Sequence, residues 1–302
     1  MFEFDNITKK FQTSFWESSL PVLDQLSFKV KEQSLTGFLG TNGSGKTTSI
    51  KILLRLIAPD RGKIIFSHQK KQHFEKILSK IGYVTERPYY YPYLKGREFL
   101  CYMGQLSCVE KNILESRIEK YAHRLSIDFA LERKIATYSK GMLQRLGIVA
   151  CLLHNPDLLI LDEPTSGMDP IGRKEIKDLL VELHHEGKTI FFSSHIIADV
   201  EEICSDLVII DRGKLIYEGT CRSLLEKYAT EDYLAVMEQD YASLGVFAHR
   251  IRRPGSGKIQ YYFDAKNREN FLKACVDCKA VPVKFERSMP TLEKIVYKMS
   301  SS

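Results

Sequence analysis

The chain contains no apolar run approaching the ~20 residues that a membrane-spanning helix needs. Its longest, around 147–153, has the length of a core helix, so any membrane role has to come through a partner. There is no basic-then-apolar leader, because the sequence opens Met1-Phe2-Glu3-Phe4-Asp5, and no signal peptide is expected. No internal repeat and no low-complexity tract is present, and tryptophan is reduced to Trp16. The seven cysteines are scattered, which together with the missing leader points to a reducing compartment. Cys275-Val276-Asp277-Cys278 has no second pair and no histidine pair at zinc-finger spacing. It reads as two thiols near a helix end rather than as a metal or redox site. A basic tail is also missing. The net charge of +6 is spread along the chain, which reads as a mildly basic solvated face before it reads as a nucleic-acid or anionic-membrane surface.

What remains is an ordinary globular composition, 44% apolar and 27% charged over 302 residues, enough for one large domain and a smaller one. Within it, Gly40-Thr41-Asn42-Gly43-Ser44-Gly45-Lys46-Thr47 has the form G-x-x-x-x-G-K-[ST] and lies between an apolar run, 35–39, and an amphipathic one, 49–57. Strand, loop and helix in that order let glycine backbone N–H groups close around phosphate oxygens at a helix N-terminus. Lys46 is placed to reach the β- and γ-phosphates, and the Thr47 hydroxyl to sit on Mg²⁺.

A second apolar strand, 158–161, ends in Asp162 and Glu163. A carboxylate at the C-terminal edge of a strand beside a phosphate loop can hold Mg²⁺, directly or through water. The next carboxylate can act as general base on the water that attacks the γ-phosphate. Phosphoryl transfer asks mainly for positioning and charge neutralisation, so few residues suffice.

Along the chain, short strands are expected at 2–8 and 26–30, with an exposed loop at 12–21 between them, then at 63–66 and 81–85. Helical periodicity dominates from 88 to about 155, an inserted subdomain. Strand–helix alternation resumes with 158–162, 171–185, 189–193, 197–204 and 207–211. Such alternation predicts an α/β fold: parallel strands in a mixed sheet flanked by helices, with antiparallel strands at the N-terminus. Beyond the helix around 223–227, residues 229–302 read as a small α+β appendage. Its expected parts are a strand at 233–237, a short helix at 242–247, a hairpin at 250–263 turning at 254–257, a helix at 267–278, a strand at 282–285 and a last helix at 291–299.

These stretches resemble the nucleotide-binding domain of ABC transporters, and their phrasing is similar to the ATP-binding subunits of ABC-2-type exporters. Residues 40–48, including Thr48, resemble the Walker A loop, and 158–163 the Walker B strand with its catalytic glutamate. Ser166-Gly167-Met168-Asp169 resembles the D-loop, and Ser193-Ser194-His195 the H-loop, whose histidine contacts the γ-phosphate. Tyr138-Ser139-Lys140-Gly141-Met142 stands where the family has its LSGGQ signature. The resemblance covers residues 1–228. Ser139 and Gly141 are kept, and they can meet phosphate oxygens by hydroxyl and backbone N–H. Tyr138, Lys140 and Met142 depart from the common form in a way associated with ABC-2 exporters. Glu86 replaces the usual Q-loop glutamine and can still bind the metal or its water. Gln33 occupies a turn where glycine is usual. Phe11 fits the aromatic that stacks on adenine, with Phe15 or Trp16 as alternatives because the stretch up to Leu23 is longer than usual.

The resemblance implies a P-loop ABC-type ATPase core over 1–228, with its helical subdomain at about 88–155 and an accessory domain at 229–302. It implies an ATP- and Mg²⁺-dependent ATPase with Lys46, Glu163 and His195 as catalytic residues. ATP would be bound by Phe11, by the loop Gly40, Thr41, Asn42, Gly43, Ser44, Gly45, Lys46, Thr47 and Thr48, and by Ser139, Gly141 and Asp169. Thr47, Asp162 and Glu86 would serve the metal. With one motif set, the chain is expected to form a homodimer, or a dimer with a close relative, around two ATP molecules. That pair would power export through a separate membrane permease from the cytoplasmic face of the cell membrane. Tyr89-Tyr90-Tyr91-Pro92-Tyr93 suits either core packing or an interface with that permease. A soluble ABC ATPase acting on ribosomes or nucleic acid is the alternative. A nucleic-acid partner is not expected, because such proteins usually carry two nucleotide domains or long coiled-coil or zinc-containing insertions.

Overall fold

The computed structural model describes residues 1–11, 21–67, 74–228, 232–254, 257–288 and 290–300. The chain divides into two compact units, Met1–Cys221 and Arg222–Ser302. The division falls earlier than the boundary at 228 read from the sequence.

The first unit begins with β1 (Phe2–Lys10), β2 (Pro21–Val30) and β3 (Leu35–Leu39), followed by helix α1 (Lys46–Leu53) and β4 (Arg61–Phe66). Then come α2 (Phe74–Leu78), β5 (Ile81–Val84), α3 (Gly96–Leu106), α4 (Lys111–Arg124) and α5 (Lys140–Leu152). It closes with β6 (Leu158–Asp162), α6 (Pro170–His185), β7 (Thr189–Ser194), α7 (Ile197–Ile203), β8 (Asp206–Asp211), β9 (Lys214–Thr220) and the start of α8 (Cys221–Lys227). β2, β1 and β4 form a three-stranded antiparallel sheet. The order β5-β6-β7-β3-β8-β9 forms a six-stranded sheet, parallel except for the antiparallel β8–β9 edge. Strands β3, β6 and β7 are buried along their whole length, as expected of central strands covered on both faces.

The core between these sheets is aromatic. Phe4 stacks on Phe28 with centroids 4.3 Å apart, and Phe2 meets Phe191 edge-on at 5.3 Å. Helices α3, α4 and α5 pack on one another as the inserted helical block. There Tyr138 is buried and its hydroxyl donates to the Ala130 carbonyl at 2.7 Å, so this departure in the signature serves packing. Gln33 has φ 52°, the left-handed conformation that explains why its turn suits glycine. The short α2 is not among the elements expected from the sequence, because five residues carry too little periodicity.

The second unit runs from the rest of α8 through β10 (Asp232–Met237), α9 (Ala242–Gly245), β11 (Arg250–Arg252), β12 (Ile259–Asp264), α10 (Arg268–Asp277), β13 (Lys284–Arg287) and α11 (Leu292–Ser300). Its sheet order is β11-β12-β10-β13, every pair antiparallel. From β10 to β13 the chain therefore runs β-α-β-β-α-β, the split βαβ arrangement of ferredoxin-like folds. Gly255 and Ser256 of the expected hairpin turn lie outside the described residues. Cys275 and Cys278 are free thiols near the end of α10, and the Cys278 thiol lies 3.7 Å from the Cys275 carbonyl oxygen.

Candidate functional site

The C-terminal ends of β3 and β6 bring the phosphate-type loop and the acidic pair to one cleft of about 690 Å³. Phe11, Asn42, Gly43, Gly45, Lys46, Thr47, Thr48, Glu86, Glu163 and His195 line it, joined by Val22, Arg87 and Ser166. Phe15 and Trp16 lie outside the described residues. A concavity of about 360 Å³ at the other ends of the strands, beside Ile81, Leu158 and Thr189, holds none of these groups.

The loop can close on itself only with glycine at its crowded positions. Gly45 has φ 107°, a conformation only glycine takes without strain, and it opens α1. A Cβ on Gly40 would lie 2.4 Å from Ser44 Oγ and 2.6 Å from the Ile210 carbonyl oxygen. Ser44 Oγ is buried and has no hydrogen-bond partner among the described residues. Such an orphan is costly unless a ligand or water satisfies it. Lys46 Nζ donates to the Gly40 and Thr41 carbonyls at 2.8 and 3.3 Å and stands 3.7 Å from Glu163 Oε1. Burial pushes its ammonium down from the ordinary lysine value, and the carboxylates of Glu163, Asp162 and Glu86 oppose that shift.

Asp162 is fully buried and held from both sides. Thr47 Oγ1 donates to Oδ2 at 2.9 Å and Ser193 Oγ to Oδ1 at 2.6 Å. The same Ser193 hydroxyl accepts the Glu163 N–H at 2.9 Å. Glu163 itself sits at φ 53°, strained for a non-glycine residue, and this pinned N–H helps keep it there. His195 Nδ1 lies 2.6 Å from Glu163 Oε2, and its backbone N–H reaches the same oxygen at 3.3 Å. A carboxylate can only accept, so Nδ1 carries the proton in that bond.

Several candidates do not line the cleft. Ser139 caps α5, accepting the Met142 N–H at 3.3 Å; Gly141 is in the first turn of that helix; Asp169 caps α6, accepting the Gly172 N–H at 3.3 Å. Thr41 is turned from the lining and donates to Asp211 Oδ1 at 3.2 Å. Sequence reasoning gives Ser193 no role of its own. A signal for it exists in the topology: parallel β6 and β7 place Ser193 opposite Asp162 in register.

A profile of the ABC transporter family matches residues 23–166. An ABC transporter ATP-binding protein of Synechocystis, sll0415, is 37% identical over 78% of this chain and 70% of its own length. The Bacillus subtilis ABC transporter ATP-binding protein YhaQ is 30% identical over 98% of this chain and 97% of its own. The chain belongs to the ABC transporter ATP-binding proteins. This ABC-type ATPase is an ATP-binding subunit. The bacitracin transport ATP-binding protein BcrA of Bacillus licheniformis is 41% identical over 65% of the chain. Matches to BcrA and to Bacillus subtilis YdbJ each span 64% of those proteins. A solved ATP-binding subunit of an ABC transporter superposes with TM-score 0.66 at 26% identity, covering 75% of this chain and 92% of that one. The dimeric cassette MJ0796 gives TM-score 0.66 at 23% identity over 73% of this chain and 98% of that one, a likeness of fold. No helix among the described residues is long and apolar enough to cross a membrane.

Proposed function

We propose that this ABC ATPase hydrolyses Mg·ATP between two head-to-tail chains and drives export through a separate membrane-spanning subunit. The observation that carries the reading is Glu163, held at 2.6 Å by His195 and facing Lys46 at 3.7 Å, beside a loop whose Ser44 hydroxyl has no partner among the described residues. Lys46 takes the β- and γ-phosphates, and Phe11 the adenine. Thr47, Asp162 and Glu86 are oxygen donors of the kind Mg²⁺ selects, and they fit it. The metal, when bound, neutralises phosphate charge. Glu163 accepts the proton of the attacking water, and His195 orients Glu163 and contacts the γ-phosphate.

Ser139, Gly141 and Asp169 serve the nucleotide of the second chain. In support, Ser139 is exposed, and among the described residues a Cβ on Gly141 would meet nothing closer than Met168 Cε at 3.8 Å. Export draws support from BcrA, whose name records bacitracin transport. The membrane subunit would dock on the helical block, where Tyr89, Tyr91 and Tyr93 are exposed beside a groove lined by Tyr90, Phe99 and Met103. In this reading the chain works from the cytoplasmic face of the membrane.

Glu163→Gln should keep ATP binding and lose turnover by at least about 100-fold, the usual scale for a general base. Lys46→Ala should lose binding. Hydrolysis at the parent rate in both variants would refute the site assignment. Native-membrane capture with Glu163→Gln and ATP should recover a multi-span protein; ribosomes or DNA-bound proteins in its place would refute the transport reading.

A further inference from the structure

One buried carboxylate has no part in the chemistry above. Asp199 on α7 is 1% exposed, yet it gathers partners from two other segments. Thr165 Oγ1 donates to Oδ2 at 3.1 Å, the Arg173 guanidinium to Oδ1 at 2.8 Å, and Lys177 Nζ stands 3.4 Å from that oxygen while also contacting Glu202. Burial alone would raise this carboxyl; the hydrogen bonds from Arg173 and Thr165 outweigh it and hold Asp199 below the ordinary carboxylate range. A buried ion cluster is a poor source of net stability, because desolvation offsets much of the attraction. Its geometry suggests another use. Thr165 follows Glu163 and Pro164, Arg173 lies in the helix capped by Asp169, and α7 starts just beyond His195. Asp199 is thus the knot between the segment that leaves Glu163 and the helix that follows His195.

We propose that Asp199, through Thr165, is a positioning residue that fixes the 163–169 segment to the His195 segment, so that contact of that segment with a second chain sets the Glu163–His195 pair. The inference rests on the paired-chain reading above. Stiff coupling of this kind needs a contiguous set of packed, hydrogen-bonded groups, and the Thr165–Asp199–Arg173 set is one.

The test uses the full chain and three variants, Thr165→Val, Thr165→Ser and Asp199→Asn. It measures ATP turnover against ATP concentration, fluorescent-nucleotide binding and thermal midpoint. Thr165→Val keeps the shape and leaves the Asp199–Arg173 pair intact. It should cut kcat roughly 10-fold, the scale at which a small misplacement of catalytic groups registers. Its nucleotide affinity should match the parent, its thermal midpoint should fall by only a few degrees for the one buried hydrogen bond lost, and any cooperativity in ATP should fall. Thr165→Ser, which keeps the hydroxyl, should restore turnover. Asp199→Asn should lose at least as much, and the double variant Thr165→Val/Asp199→Asn no more than Asp199→Asn alone. Parent-like turnover in Thr165→Val overturns the inference, as does a loss that Thr165→Ser fails to restore or that follows the thermal midpoint. A parent chain that binds ATP without hydrolysing it overturns the proposed function, and this inference with it.

Discussion

The two units bury different things. Among the described residues, every buried serine, threonine, glutamine, lysine, aspartate and glutamate, including Ser44, Lys46, Asp162, Glu163, Thr165, Ser193 and Asp199, belongs to Met1–Cys221. The core of Arg222–Ser302 is aromatic and aliphatic, with Phe263 stacked on Phe271 at 4.2 Å and Tyr261 beside them. Burying polar groups costs free energy unless each finds a partner, so a protein concentrates them where chemistry requires it. The first unit carries a reaction; the second carries a fold.

The largest effect that would break this contrast is expected in the second unit. Phe271 is fully buried against Phe263, Tyr261 and Phe285. Phe271→Ala should remove about 3–5 kcal/mol from this unit, the cost of a large aromatic cavity. Nucleotide binding at the first unit should stay unchanged. Denaturant unfolding followed beside fluorescent-nucleotide binding checks both, and loss of binding at a concentration where the first unit is folded would end the separation of roles.

This contrast also explains which features are legible in the sequence. Motifs that handle phosphate need fixed residue types at fixed spacings, so 40–48 and 158–163 stand out from residue order alone. The long alternation of 158–211 likewise corresponds to β6 to β8 with small changes at the ends. Ser193 and Asp199 are not legible as functional. The first looks like the polar end of an apolar strand, and only parallel register sets it against Asp162. The second sits in Ile-Ala-Asp-Val-Glu-Glu, which reads as a surface helix, and its burial comes from α6 packing on α7. In the second unit most elements are legible but their neighbours are not, because periodicity names strands and leaves their pairing order open. The helix expected at 242–247 shrinks to α9, whereas the hairpin expected at 250–263 is there, as antiparallel β11 and β12.

A middle-sized effect sharpens the contrast inside the first unit, where the helical block obeys packing rules like those of the second. A Cβ on Gly147 would fall 2.0 Å from the Tyr90 hydroxyl oxygen, so the two residues are cut to each other's shape. Gly147→Ala should cost about 1–3 kcal/mol through overpacking, net of the gain of up to about 1 kcal/mol that alanine gives a helix. Tyr90→Phe, which removes the obstructing oxygen, should recover part of that loss in the double variant. Thermal unfolding of the four proteins checks the cycle, and strict additivity would show that the hydroxyl is not what excludes a side chain at 147.

The smallest effect on stability carries the sharpest functional contrast. Gly141 lies in the first turn of α5, and the nearest atom to an added Cβ is Met168 Cε at 3.8 Å, an ordinary contact. Among the described residues, nothing in its own chain asks for glycine there. Gly141→Ala should therefore leave the fold as stable as the parent, or steadier by up to about 1 kcal/mol from helix propensity. If the reason for glycine is a phosphate held by a second chain, the same methyl should block closure of the pair. In the Glu163→Gln background with ATP, size-exclusion chromatography should then show a dimer for Gly141 and a monomer for Gly141→Ala. Their thermal midpoints without nucleotide should be indistinguishable. A Gly141→Ala chain that dimerises with ATP like the parent would place the reason for glycine elsewhere and remove the main structural support for assigning Ser139 and Gly141 to the partner's nucleotide.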